Sequence, residues 1–407
     1  GVFMQEQALA DVRVLDFTHY VAGPYCTKLL ADYGADVMKV ERPGVGDGAR
    51  LMGPFPKDEP NIEKSGLFLH LNTNKRSLTL DLKRPEARDI VLTLVRDVDI
   101  VVESFRPGTM ESFGLGYESL RNAHDDVILT SISNFGQTGP YKDYKSSDIM
   151  TYGMGGEMYS TGLEDREPLK LAENVVLYQA GAVASVATMG ALFASRLQAV
   201  GQHVDVSIME TQVGTIDRRM SMLLAYQYNG EISRRGALAT GIGYPTGVYL
   251  CADGYIQVNG GGSYFKRVVE MMGRPPELED PTWFEPESQY NSDLAQIFHE
   301  YFIPWCLERT KREIWAAAQK SRVLSAPLNT IEELVEDQHF NERDAFADIS
   351  HPEAGRLLYP GRPFIMGESP WSVRRPAPLL GQHTDDILSS VGYNAECVSH
   401  LHRDGVV

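Results

Sequence analysis

Residues 167–212, EPLKLAENVVLYQAGAVASVATMGALFASRLQAVGQHVDVSIMETQ, predict the element around which the rest of the chain is arranged. The run 180–195 is uncharged and apolar, and at about 16 residues it is shorter than the ~18 that a membrane span needs. Small side chains recur in it every three or four positions and therefore share one helical face. We expect a central helix, apolar all round and buried against another backbone, with a first turn near Leu177–Gly181 that belongs to a site. A core helix with no further role is the alternative.

Length, composition and net charge limit the kinds of protein and of ligand that we expect. A chain of 407 residues predicts two domains, and 43% hydrophobic with 23% charged residues is typical of a globular protein. The net charge of −17 disfavours nucleic acids and anionic membranes as partners. The four scattered cysteines form no metal-binding or disulfide pattern, and the N-terminal residues do not resemble a signal peptide, so we expect a cytoplasmic protein without a metal.

The first 140 residues alternate short apolar strands with helices, which predicts parallel βαβ units. Polar or aromatic residues follow four of these strands, at His19, Arg42, Ser104–Arg106 and Asn134–Phe135. Ligands of open α/β sheets bind at the carboxyl ends of the strands, so these loops predict a phosphorylated, ring-bearing ligand. For each loop taken singly, the alternative is that its polar residues are ordinary loop residues without a ligand. No GxGxxG or GxxxxGK[ST] motif is present, which disfavours dinucleotides and Walker-type triphosphate binding.

The alternation of strands and helices ends near residue 225. A Gly-rich stretch follows, and after it a predicted hairpin with its turn at Ala252–Gly254. Helices are predicted beyond it, one of them opened by a Thr330–Glu333 capping box. Hydrolase and zinc-protease motifs are missing. His19, Asp148 and Glu173 are candidates for chemistry, and a loop histidine, a helix N-cap and a solvated carboxylate are the respective alternatives. The residues alone predict an α/β protein with a small second domain that binds a phosphorylated ligand.

Several segments taken together resemble the class III CoA-transferase family, which includes related acyl-CoA racemases. They are VRVLDFTHYVAGPYCTKLLADYGADVMKVERPGVGD, LNTNKRSLTLDLK, VVESFRPGTMESFGLGYESL, NFGQTGPY, GQHVDVSIMET and PLLGQHTDDIL. The resemblance implies a Rossmann-like large domain formed by 1–224 with 325–407, and a smaller α+β domain at 225–324. It also implies that two protomers thread through each other as interlocked rings.

By resemblance, coenzyme A lies across the strand ends named above, as a thioester substrate and not as a bound cofactor. His19, Tyr20, Val21 and Ala22 are implied to line its thioester and pantetheine end. Arg42 and Lys75 are implied to face its phosphates or adenine. The remaining implied contacts are Ser104, Phe105 and Lys145. Ser112 stands where family members often have Arg, so one cationic contact is missing.

The resemblance also locates a departure from the family. Its transferases carry a nucleophilic Asp four residues before the Gly that begins the central helix, and here that position is Leu177. That Asp takes up the acyl group and then CoA, which a leucine side chain cannot do. The racemase branch needs the same Asp and a His where this chain has Ser147. Racemisation is therefore disfavoured as well.

Three interpretations remain open. In the first, the chain is the non-nucleophilic subunit of a heteromeric transferase whose homologous partner carries the Asp, with succinyl-CoA as a possible donor and benzylsuccinate as a candidate acceptor. In the second, it is an active homodimer with a relocated nucleophile, Glu173 or else Asp148. In the third, it binds CoA thioesters without turnover.

Overall fold

Six parallel strands form the central sheet, in the order β3-β2-β1-β4-β5-β6. The computed structural model describes residues 7–214, 217–232, 235 and 243–407, with only the backbone described for residues 214 and 217–222. The strands are β1 (Arg13–Phe17), β2 (Asp36–Glu41), β3 (Arg76–Thr79), β4 (Ile100–Glu103), β5 (Ile128–Ser133) and β6 (His203–Ser207). Chain order reverses between β1 and β4, which makes their carboxyl ends the topological switch point. The predicted parallel α/β sheet is confirmed.

Helices cover both faces of this sheet, and the residues of β1 to β5 are almost all buried as a result. Those before residue 230 are α1 (Ala22–Asp32), α2 (Gly66–Leu71), α3 (Pro85–Val95), α4 (Thr109–Ser112), α5 (Tyr117–Ala123), α6 (Asp148–Met154), α7 (Val175–Gln198), α8 (Ile208–Gly214) and α9 (Asp217–Asn229). One apolar core includes residues of α3 and α5, and a second includes residues of α1 and α7.

The central helix α7 extends beyond its predicted apolar run at both ends and begins after the N-cap residue Asn174. It packs along α1 and against β5 and β6. Its length and hydropathy would suffice for a membrane span, yet its small-residue face is buried in the protein core. The opposite face is not buried within this chain: Val186, Phe193 and Leu197 are 73%, 65% and 67% exposed. The expectation of burial all round is therefore wrong for the single chain.

A three-stranded antiparallel sheet, β7-β8-β9, organises the second unit. Its strands are β7 (Thr246–Cys251), β8 (Gly254–Asn259) and β9 (Leu324–Pro327). The predicted hairpin is confirmed, with Cys251 paired to Gly254 across the turn. The helices here are α10 (Phe265–Met271), α11 (Ser292–Leu307), α12 (Lys311–Ser321), α13 (Ile331–Glu336) and α14 (Gln338–Glu342). Thr330 and Glu333 form the predicted capping box of α13.

The C-terminal residues return to the first unit. They form the hairpin β10 (Phe346–His351) and β11 (Gly355–Pro360), then α15 (Thr384–Ser390) and α16 (Ala395–Arg403). The sequence patterns did not predict this hairpin.

The chain divides into two units whose bounds differ from the predicted domains. The first comprises the described residues within Gly1–Met158, Lys170–Gln227 and Glu342–Val407; the second comprises Tyr159–Leu169 and Tyr228–Asn341. Residues 325–341 belong to the second unit because β9 hydrogen-bonds to β8. Pairing between distant strands is not visible in local sequence patterns, which explains the difference.

Candidate active site

The loops after β1 and β4 meet at the switch point of the sheet. The backbone N–H of His19 donates a hydrogen bond of 2.9 Å to Ser104 Oγ. The rings of His19 and Phe105 lie 5.8 Å apart between centroids. Three of the residues predicted to contact coenzyme A are thus brought together at the edge where ligands of such sheets bind. We call this edge the crevice.

Asp47 holds the loop after β1 in place. Its Oδ1 accepts the backbone N–H of Tyr20 at 2.9 Å and lies 3.7 Å from His19 Nδ1. Its Oδ2 lies 2.8 Å from Lys39 Nζ, and both of these side chains are fully buried. Burial raises the pKa of Asp47, but the Lys39 ammonium and the His19 ring outweigh it and hold the pKa well below its usual range. The anchored Tyr20 adopts a left-handed backbone with φ of 66°.

Val21 and Ala22 are buried where α1 begins, and Ala22 is also where α7 makes its closest approach. A Cβ added to Gly181 would lie 2.4 Å from the Ala22 carbonyl oxygen, so only glycine fits there without a shift. The rings of Tyr25 and Tyr178 meet edge to face at 4.9 Å. This packing brings the first turns of α1 and α7 together beside the crevice.

Lys75 does not face the crevice. Its ammonium is fully buried, with Asp16 Oδ2 at 3.0 Å, Thr27 Oγ1 at 2.7 Å and Asn72 Oδ1 at 2.9 Å. A fourth acceptor, the Pro24 carbonyl, lies 3.0 Å away, so the three N–H groups are all used inside the protein. Burial lowers the pKa of Lys75 to about 8 against the opposing attraction of Asp16. This placement contradicts the prediction that Lys75 contacts the phosphates or adenine of CoA.

Arg42 and Lys145 are the two predicted cations that remain exposed. Arg42 follows β2 directly, and its carbonyl accepts the Gly46 N–H at 2.9 Å, which forms the turn after that strand. Lys145 lies between β5 and α6. Neither side chain has an ion-pair partner among the described residues, so both are free to bind an anionic ligand. Their contacts with coenzyme A stay a prediction.

Leu177 lies in the first turn of α7 and is partly buried against the apolar core that contains Ala22 and Cys26. Its backbone N–H bonds to the carbonyl of the N-cap residue Asn174 at 2.9 Å. The position that the resemblance assigns to the nucleophile therefore carries a side chain that packs as an ordinary apolar residue.

The two residues considered for a relocated nucleophile, Asp148 and Glu173, both contact Lys170. Lys170 Nζ is 2.7 Å from Asp148 Oδ2 at the start of α6, and it also bonds to the Leu171 carbonyl at 2.9 Å and to the Glu173 carbonyl. Glu173 itself is exposed and has a left-handed φ of 51°. Because Glu173 precedes the N-cap Asn174, it does not share a helical face with Leu177. A catalytic role for either carboxylate stays a prediction.

Glu103 is a feature of the crevice that the sequence patterns missed. It is the last residue of β4 and is buried, and its Oε2 accepts the Phe105 N–H at 2.7 Å. Burial raises the pKa of Glu103 to about 7, although hydrogen bonds from Ser131 and Phe105 oppose the shift. The sequence feature that could have indicated Glu103 is a charged residue at the end of the apolar run IVVE.

The fold and the crevice define a CoA-transferase-like α/β protein, and sequence comparison makes the class definite. A profile of CoA-transferase family III matches residues 9–384, and the chain belongs to this family. Among its relatives, a formyl-CoA:oxalate CoA-transferase of Bradyrhizobium diazoefficiens is 32% identical, with 98% of this chain and 97% of that protein covered.

Two further relatives are named as CoA-transferases with other substrates. A succinyl-CoA–D-citramalate CoA-transferase of Chloroflexus aurantiacus is 32% identical over 94% of both chains. A succinate–glutarate CoA-transferase of Agrobacterium fabrum is 33% identical, with 94% of this chain and 95% of that protein covered. A crystal structure of a CAIB/BAIF family protein from Brucella suis superimposes with a TM-score of 0.85 at 27% identity, covering 95% of this chain and 100% of that one.

Proposed function

We propose that this chain is the non-nucleophilic subunit of a heteromeric class III CoA-transferase. It binds a CoA thioester in the crevice, and a homologous partner supplies the Asp that carries the acyl group and then CoA. The single observation behind this proposal is the apolar Leu177 at the position that the resemblance assigns to the nucleophile, in a chain that belongs to the family. A leucine side chain has no lone pair with which to attack a thioester.

The crevice supports binding of a CoA thioester. It combines a loop anchored by a buried ion pair with the aromatic ring of Phe105, and we propose that the exposed cations Arg42 and Lys145 contribute to it. Apolar and aromatic walls suit the pantetheine arm, and exposed cations suit phosphates. The overall charge of −17 does not oppose this, since the potential at a site is set by the charges close to it and not by the net charge of the chain.

The exposed face of α7 supports a partner chain. Val186, Phe193 and Leu197 share this face, and each exposes about two thirds or more of its side chain in the single chain. A contiguous apolar surface of this kind is typical of an interface. We infer that a homologous protomer covers it, in the interlocked arrangement that the family resemblance implies.

Succinyl-CoA is the donor we propose, because two relatives are named for succinyl-CoA or succinate transfer. Benzylsuccinate is the proposed acceptor, which would make the chain the non-nucleophilic subunit of succinyl-CoA:benzylsuccinate CoA-transferase. The family resemblance and the missing Asp support this assignment, since a heteromeric enzyme of that kind contains two homologous subunits.

The test is transfer of CoA from succinyl-CoA to benzylsuccinate, assayed with the purified chain alone and with a co-purified Asp-containing homologue. We expect activity only with the homologue. Activity of the chain alone would contradict the proposal and favour the homodimer with a relocated carboxylate, which Glu173→Gln then tests. Binding of CoA without transfer under either condition would favour a non-catalytic binding protein.

A further inference from the structure

Glu103 connects the interior of the sheet to the wall of the crevice. Its carboxylate is buried at the carboxyl end of β4 and accepts the Phe105 N–H at 2.7 Å. The residue between them, Ser104, accepts the His19 N–H, and the Phe105 ring faces the His19 ring. The orientation of this loop therefore depends on the hydrogen bond to Glu103.

A line of hydrogen bonds leads from Glu103 towards solvent. Ser131 is paired with Glu103 in the β4–β5 register and bonds to its carboxylate. Ser131 Oγ also lies 2.8 Å from Nε2 of His203, an exposed residue at the start of β6 whose ring stacks on Tyr117. Because the serine stands between the acid and the imidazole, this is not a nucleophilic triad, in which the histidine occupies the middle position.

No cation is paired with Glu103 among the described residues. The charged groups that face it are the carboxylates of Glu111 on α4 and Asp205 on β6, both of which disfavour its ionised form. Burial is the largest cause that raises the pKa of Glu103 to about 7, and burial lowers the pKa of His203. Near neutral pH the carboxyl therefore populates both its charged and its neutral form.

We propose that Glu103 is a positioning residue of the crevice, whose ionised carboxylate fixes the Phe105 backbone and thereby strengthens the binding of coenzyme A. This inference rests on the proposed function, because it takes the crevice to be the CoA site. The physical reason is that a charged acceptor forms a hydrogen bond roughly twice as strong as a neutral one. When the carboxyl is protonated, the loop that carries Ser104 and Phe105 loses part of this restraint.

The test measures the dissociation constant of coenzyme A by calorimetry from pH 6 to pH 8, for the full chain and for Glu103→Gln. Glutamine keeps an acceptor oxygen but cannot ionise. Since a phosphate group of the ligand itself titrates near pH 6, the informative quantity is the ratio of variant to wild-type constants at each pH. Glu118→Gln, on the exposed surface of α5, is the matched control for loss of one negative charge.

We expect a ratio near one at pH 6 that rises to on the order of fivefold at pH 8, and a ratio near one throughout for the control. A ratio that does not change with pH would overturn the inference, because a merely structural role for Glu103 gives that result. Binding that is absent in every protein and at every pH would instead overturn the assignment of the crevice, and with it the proposed function.

Ser131→Ala keeps the inference testable if Glu103→Gln does not fold. The Ser131 hydroxyl lowers the pKa of Glu103, so its removal raises that pKa. The pH at which CoA binding strengthens is then expected to move upward relative to wild type. An unchanged midpoint would overturn the proposed role of Glu103.

Discussion

Two lysines that the family resemblance assigns to coenzyme A, Lys75 and Lys145, have opposite surroundings in the structure. Lys75 is enclosed by four oxygen acceptors, whereas Lys145 is exposed and lacks an ion-pair partner among the described residues. Removal of one member of a buried ion pair leaves the other charged and unpaired, and this is far more costly than the loss of a surface charge. The two residues therefore have separable effects on stability and on binding.

Lys75→Met is expected to lower the free energy of unfolding by about 3–5 kcal/mol, because it leaves Asp16 buried without its partner. Lys145→Met is expected to change that free energy by less than about 0.5 kcal/mol while it weakens CoA binding. Denaturant unfolding and calorimetric titration measure the two quantities. Equal stability of the two variants would contradict the structural role of Lys75.

Asp16 makes stability depend on pH in the acid range. Burial raises its pKa, but Lys39, Lys75 and two threonine hydroxyls outweigh burial and lower it from 3.8 to about 2. A pKa lowered in the folded state stabilises the protein above pH 4 and loses this contribution as pH falls towards 2. The contribution is on the order of 2 kcal/mol. We expect the denaturant midpoint to fall over this pH window, and to fall less for Asp16→Asn than for the wild type. If the midpoint falls equally with pH in both proteins, Asp16 is not a source of the pH dependence.

Sequence patterns located the crevice residues because strand ends and polar loops are local features. His19, Ser104 and Phe105 were predicted separately and lie together. The burial of Lys75 could not be predicted, since Asp16 and Thr27 reach it from other elements. The same reason applies to Glu103, whose environment is made by the neighbouring strand and by α4.

At the scale of elements, the contact between α1 and α7 positions the first turn of α7, where the family resemblance places the nucleophile. The small-residue spacing in 180–195 predicted this close packing, and the 2.4 Å approach of a Cβ at Gly181 to the Ala22 carbonyl confirms it. The spacing could not predict the exposure of the opposite face, because apolar residues on a helix are compatible with burial by the same chain or by another one.

Two glycines of α7 provide a matched pair for this packing. Gly181→Ala is expected to destabilise the chain by about 1–3 kcal/mol, because the added methyl group collides with the α1 backbone. Gly190→Ala meets no atom within 4 Å and is expected to stabilise the helix by up to about 1 kcal/mol. Thermal or denaturant unfolding compares them. A Gly181→Ala variant as stable as Gly190→Ala would contradict the proposed contact.

At the scale of the whole molecule, the exposed α7 face predicts how the chain associates. Val186→Glu places a charge in the surface that we assign to the partner, and burial of an unpaired charge is strongly unfavourable. We expect the variant to lose co-purification with the homologous subunit. Leu358→Glu, on the partly exposed β11, is the control and is expected to retain it. Retention of the partner by Val186→Glu would place the interface elsewhere.

The parallel sheet and the second-unit hairpin followed from local sequence patterns. The assignment of residues 325–341 to the second unit did not, because it depends on the pairing of β9 with the distant strand β8. The β10–β11 hairpin was not predicted either, although its strands are adjacent in the chain. Leu177 is the reverse case: the family resemblance assigns the nucleophile to this position through the sequence register, and the structure then gives the surroundings of the leucine.

The most direct test of the central claim is to locate the covalent CoA thioester. The complex of this chain with its Asp-containing homologue is incubated with succinyl-CoA, quenched, and analysed by mass spectrometry of both subunits. We predict an adduct on the homologue and none on this chain, and we predict that Leu177→Asp, but not Leu177→Asn, creates one here. An adduct on the unmodified chain, at Glu173, Asp148 or any other residue, would contradict the account.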